Sequence, residues 1–91
     1  MTNNMNEKII TDFTNAHKIV VFSASYCPWC RRAKDLLNAR GAKYVVVELD
    51  DPRNADIKPV LASMTDRKTI PNIFIDAINI GGYDDLVKHY E

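Results

Sequence analysis

The sequence predicts an α/β protein: a four-stranded mixed sheet with helices on both faces. Three observations predict it. Two β-branched runs, Ile19-Val20-Val21-Phe22 and Tyr44-Val45-Val46-Val47, are separated by one amphipathic helical segment, the pattern of a right-handed parallel βαβ unit. Two short apolar runs then lie side by side at 72–76 and 77–80, the pattern of a closing hairpin. A length of 91 residues, 46% of them hydrophobic, suits a single domain over residues 1–91 with one modest core.

Each element has its own signal. Residues 6–16 carry Ile9, Ile10, Phe13 and Ala16 at helical spacing, so they read as a short amphipathic helix. Residues 18–23 have an unbroken apolar centre, as a strand buried on both faces does. Residues 28–39 set Ala33, Leu36 and Leu37 against Arg31, Arg32, Lys34 and Asp35 and form the second helix, with Gly41 as its stop. A second strand follows over 43–49, and Asp50-Asp51-Pro52 is a turn. Residues 54–64 are helical in composition, and Pro59 predicts that this helix starts or bends there. Asp76-Ala77 is the hairpin turn, a weaker signal than Asp-Gly. Gly81-Gly82 ends the last strand, and 84–90 is a final short helix.

Composition narrows the function. Lys+Arg and Asp+Glu number 12 each, so the formal net charge is zero. Nucleic-acid binders that work by counterion release are usually strongly basic, so that class is disfavoured. No apolar run approaches the ~20 residues of a membrane span, and no targeting segment is legible at the N-terminus. The expected location is therefore the cytoplasm, where thiols stay reduced.

The two cysteines form Cys27-Pro28-Trp29-Cys30. A disulfide across that gap closes a tiny loop and removes little unfolded-chain entropy, so it would be a weak staple. Two cysteines also cannot complete a four-cysteine zinc site, and His17 and His89 lack ligand spacing to them; no metal is expected. Pro28 suits the first helical position, which makes Cys27 the N-cap. Its sulfur then faces the free N–H groups of Trp29 and Cys30, and these donors favour the thiolate, the nucleophile of disulfide exchange. Cys30, one turn on, faces the same side and reads as the resolving thiol. The bland alternative is a cysteine pair that merely packs.

With these residues in view, the chain resembles a dithiol glutaredoxin of the thioredoxin-like fold over residues 18–86. The resemblance rests on Tyr26-Cys27-Pro28-Trp29-Cys30, Thr69-Ile70-Pro71 and Gly81-Gly82-Tyr83-Asp84-Asp85-Leu86. It implies glutathione-dependent reduction of protein disulfides and glutathione mixed disulfides. Glutathione would be co-substrate, with no tightly bound cofactor. The resemblance also implies a cis Ile70–Pro71 bond, with the backbone of Ile70 turned toward Cys27 to pair with the glutathione peptide. Trp29 would form an aromatic wall, and Thr69 and Pro71 would line the glutathione site on either side of Ile70. The γ-glutamyl carboxylate would dock at Gly82-Tyr83, and Asp85, or Asp84 with it, would receive the α-amino group. Arg67 is either a ligand of the glycine carboxylate or a solvated surface arginine.

The sequence departs from the family pattern at three places. Ala24 stands where Lys or Arg is common, Trp29 replaces the usual tyrosine, and Asn72 stands where glutamine or arginine is common. The similarity to short phage-type or bacterial members adds ribonucleotide reductase as a partner, and a monomer is the default for the fold. Two other readings stay open: a thioredoxin-like electron donor served by thioredoxin reductase, and an iron–sulfur carrier using one Cys27 and one glutathione per subunit of a dimer. Pro28 weighs against the carrier, because a small residue is usual there among cluster-binding relatives.

Overall fold

The structure is a computed structural model that describes residues 4–91. In chain order the elements are α1 (Asn4–Ala16), β1 (Ile19–Ser23), α2 (Pro28–Ala39), β2 (Val45–Glu48), a 3₁₀ turn (Pro52–Asn54), α3 (Ile57–Thr65), β3 (Asn72–Ile75), β4 (Ile78–Gly81) and α4 (Tyr83–His89). The sheet order is β2-β1-β3-β4. β1 runs parallel to β2 and antiparallel to β3, and β3 pairs antiparallel with β4.

All five residues of β1 are buried, because this strand has a neighbour on each edge and helices on each face. Its side chains alternate with the strand period of two. Val20 and Phe22 join Ile10 of α1, Val60 and Leu61 of α3, and Phe74 of β3. Phe22 meets Phe74 edge-on at 5.7 Å between centroids. Ile19 and Val21 face the other way, onto Ala33 and Leu37 of α2 and Leu86 of α4.

Locally the structure corrects some expectations and matches others. In α1 the buried residues are Ile10 and Thr14, while Ile9 and Ala16 lie exposed; α1 presents a narrower stripe than four apolar residues suggested. Within residues 54–64 the helix, α3, starts at Ile57, close to Pro59 as expected, and Asn54 belongs instead to a separate 3₁₀ turn. Pro59 is the third residue of α3, inside the first turn, where a missing N–H costs no intrahelical bond. Lys34, on the polar side of α2, pairs with Glu48 at 3.1 Å and ties α2 to β2. Gly41 does end α2: at φ +68° it lets its own N–H reach Asn38 O and that of Ala42 reach Leu37 O, both at 3.0 Å, the paired bonds of a Schellman motif. The hairpin turn holds both Asp76 and Ala77 at positive φ, 52° and 66°, the combination a type I′ turn requires.

This topology gathers the chemistry. β1 and β2 are parallel, so both end at one sheet edge. β3, antiparallel to them, begins there, and β4 returns there. The Cys27 loop after β1, the Pro71 loop before β3 and the Gly81-Gly82 corner after β4 therefore converge.

Candidate active site

Cys27 caps α2 in extended geometry, φ −91° and ψ 113°, with Pro28 in the first helical position. The cap is closed by the Cys30 N–H, which donates to Cys27 Sγ at 3.1 Å. That is one of the two donors anticipated from the sequence. A second contact comes from across the cleft: the carbonyl oxygen of Ile70 lies 3.9 Å from Cys27 Sγ. The Ile70–Pro71 bond is cis, and the backbone of Ile70 does face the cysteine.

The two thiols, both free, have different environments. Cys27 is half-buried, and Cys30 is fully buried. Burial pushes the Cys30 thiol up to about 11, and its hydrogen bond with Cys27 adds to this; bonds to the Ala24 backbone and the Ser23 side chain act the other way. At neutral pH such a thiol is ionised to roughly one part in ten thousand. Cys30 is thus protonated and inaccessible in the free dithiol, and Cys27 is the sulfur a substrate can reach.

The loop before Cys27 is anchored as well. The Cys27 N–H donates to Ala24 O at 3.1 Å. The backbone N–H and the hydroxyl of Ser25 both donate to the Asp50 carboxylate, and they hold Asp50 below the usual carboxylate range. Nothing in the sequence pointed to Asp50, because the pair is 25 residues apart and its partner lies in a loop. Ala24 itself is buried, so the position that carries a cation in many relatives here belongs to the core.

On the far side of the Ile70 backbone that Cys27 touches, a cleft of about 240 Å³ opens. Ile70 and Pro71 form one wall, and Gly82, Tyr83 and Asp84 the other; Trp29 flanks the opening, and Arg67 and Asp85 complete the lining. The Trp29 ring lies 5.5 Å from that of Tyr83 and has the Arg32 guanidinium 4.7 Å above it. Eight of the nine residues expected around the substrate thus share one cavity. The ninth, Thr69, accepts from Arg67 Nη1 at 2.9 Å and lines a separate cavity under α3. Arg67 also meets Asp85 Oδ2 at 3.3 Å, and that oxygen accepts from the Gly82 N–H at 2.9 Å. Gly81 has to be glycine: it sits at φ +112°, and a Cβ there would collide with the Asp85 carboxylate.

The histidines stand apart from the cysteines. His17 packs at a tilt against Phe13, and His89 meets Tyr90 edge-to-face. Among the described residues, no group of three or more His, Cys, Asp or Glu side chains is placed to hold a metal ion.

Comparison with known proteins agrees with this geometry. The glutaredoxin family model matches residues 19–78. The chain belongs to the glutaredoxin family. A glutaredoxin of Ricinus communis is 45% identical over 80 residues, covering 86% of this chain and 78% of that protein. Glutaredoxin-C4 of Arabidopsis thaliana is 41% identical over 78 residues, 85% of this chain and 58% of its own length. Among solved structures, the buckwheat glutaredoxin–glutathione complex superposes with a TM-score of 0.89 at 34% identity, covering 94% of this chain and 79% of that one. The holo form of glutaredoxin C1 from Populus tremula x tremuloides gives 0.88 at 39% identity, covering 96% and 87%. The fold is thioredoxin-like, and the Cys27–Cys30 pair makes this family member a thiol–disulfide oxidoreductase.

Proposed function

We propose that this glutaredoxin reduces protein disulfides and glutathione mixed disulfides at the expense of glutathione, with Cys27 as nucleophile and Cys30 as resolving thiol. The observation that carries the reading is the 3.9 Å approach of the accessible sulfur, Cys27 Sγ, to the carbonyl of Ile70, a residue of a cleft lined also by one cation and two carboxylates. Glutathione is a zwitterionic peptide with two carboxylates and one ammonium. Arg67 and Asp85 offer it one charge of each sign, and Ile70 offers an extended backbone for strand-like pairing. The glutathione bound in the buckwheat relative supports the same occupant here.

On this reading, the Cys27 thiolate attacks the glutathione sulfur of a mixed disulfide. The protein thiolate leaves, and Cys27 keeps the glutathionyl group. A second glutathione thiolate then attacks that disulfide, releasing oxidised glutathione and restoring Cys27. With a protein disulfide, Cys27 forms the mixed disulfide and Cys30, once deprotonated, displaces the substrate thiolate. The resulting Cys27–Cys30 disulfide is reset by two glutathiones. We place the protein in a reducing compartment, the cytoplasm, because this cycle depends on a reduced glutathione pool.

The test is turnover of a glutathione mixed disulfide with glutathione, NADPH and glutathione reductase, in wild type, Cys27→Ser and Cys30→Ser. Activity lost with Cys27→Ser and kept with Cys30→Ser supports the assignment. A wild type inactive with glutathione but reduced by thioredoxin reductase would instead be a thioredoxin-like donor, the reading that the cation-free Ala24 favours.

A further inference from the structure

Asn72 has no role in the site as described, yet it is 1% exposed. A buried amide that lost its partners would be costly. It lines the cavity under α3 rather than the cleft. Its two ends are bonded to different parts of the fold. Asn72 Nδ2 donates to Thr65 Oγ1 at 3.0 Å, and Asn72 Oδ1 accepts from Asn79 Nδ2 at 2.6 Å. Thr65 is the last residue of α3, and its hydroxyl donates to Leu61 O at 2.8 Å.

Asn79 does a second job. The β3–β4 register pairs Ile73 with Gly81 but Phe74 with Asn79, so Ile80 is an extra residue in β4. Such bulges bend a strand and recur beside active sites. Here the bend precedes the Gly81-Gly82 corner. Asn79 Nδ2 also donates to Ile73 O at 3.2 Å, so the side chain bonds a backbone acceptor beside the irregular step.

We propose that Thr65, Asn72 and Asn79 are positioning residues that set the width of the substrate cleft. Each is joined by a few residues of chain to one part of its lining. Thr65 lies two residues before Arg67, Asn72 directly follows Pro71, and Asn79 lies three before Gly82. The network is uncharged, so it holds this spacing at any pH where the protein is folded. The inference rests on the reading of the cleft as the glutathione site.

The test uses Asn79→Leu, Thr65→Val and Thr65→Ser. The KM for a glutathione mixed disulfide, kcat and the rate of Cys27 alkylation by iodoacetamide are measured for each. Asn79→Leu and Thr65→Val should raise KM by about five-fold or more, the equivalent of one lost hydrogen bond. Cys27 alkylation should not change, and Thr65→Ser, which keeps the hydroxyl, should stay near wild type. If Asn79→Leu does not fold, the Thr65 pair carries the test. Unchanged KM in Thr65→Val, equal effects of Val and Ser, or alkylation slowed in parallel would each overturn the proposal. Hydrogen exchange of the Gly82 amide reads the network without glutathione and should quicken in Thr65→Val. A wild type that ignores glutathione, with exchange still quickened in the variant, would remove the glutathione reading and leave the network standing.

Discussion

Raising the pH should strip away a defined part of this protein's stability, and Cys30 is the residue that sets its size. The folded state holds its thiol at about 11 against an ordinary value of 9.0, first of all by burial. A raised value means that the fold favours the protonated form. The stabilisation is fully present below pH 9, where both states keep the proton. It is lost between pH 9 and about 11, where the unfolded chain releases a proton that the folded chain retains. Two pH units at about 1.4 kcal/mol each give roughly 2–3 kcal/mol. The assay is urea unfolding of the reduced protein near neutral pH, at pH 9 and near pH 11, for wild type and Cys30→Ala. Lysines and tyrosines titrate in both proteins, so the difference between them isolates Cys30. The advantage of wild type over Cys30→Ala should shrink by roughly 2–3 kcal/mol across that window. A constant difference would refute the reasoning, because it would mean the buried thiol ionises as easily folded as unfolded.

Three further perturbations test the geometry. Iodoacetamide at neutral pH should label Cys27 and spare Cys30, whose sulfur is buried and protonated; peptide mass spectrometry reads the ratio, and equal labelling would contradict the assigned roles. Ala77→Gly should stabilise the fold by about 0.5–1 kcal/mol in urea, since an exposed alanine at φ 66° carries a left-handed penalty that glycine avoids, partly offset by glycine's entropy. Arg67→Ala should change stability by less than about 1 kcal/mol, because its ion pair with Asp85 is partly solvated. The same variant should weaken glutathione binding about five-fold or more by calorimetry, through loss of a charge-assisted bond; unaltered affinity would leave Arg67 a surface residue.

Much of the fold was legible because strong local signals coincided. The unbroken apolar run within residues 18–23 read as a central strand, and Pro28 after Cys27 marked a helix start; the structure has both. Positions governed by neighbours distant in sequence were less legible. Ile9 looked as apolar as Ile10, and only the packing of α1 against α3 and the sheet exposes the one and buries the other. Pro59 marked a helix that starts or bends there, and α3 does start close by at Ile57; the separate 3₁₀ turn over Pro52–Asn54 carried no signal of its own.

By itself, the sequence determined the reacting groups of this protein. A Cys-Pro-Trp-Cys stretch at a helix start places two sulfurs one turn apart and puts the first at the cap through local geometry alone; the burial of the second is left to tertiary packing. Tertiary structure decided everything that depends on closing long loops. It brought the Ile70 carbonyl to within 3.9 Å of Cys27. It paired Arg67 with Asp85 across 18 residues, anchored Ser25 on Asp50, and turned Asn72 into the bridge between α3 and β4. The physical reason is range: caps and periodicities act within a turn or two of chain, whereas a polar side chain's partner is set by the sheet order β2-β1-β3-β4, which no local pattern encodes.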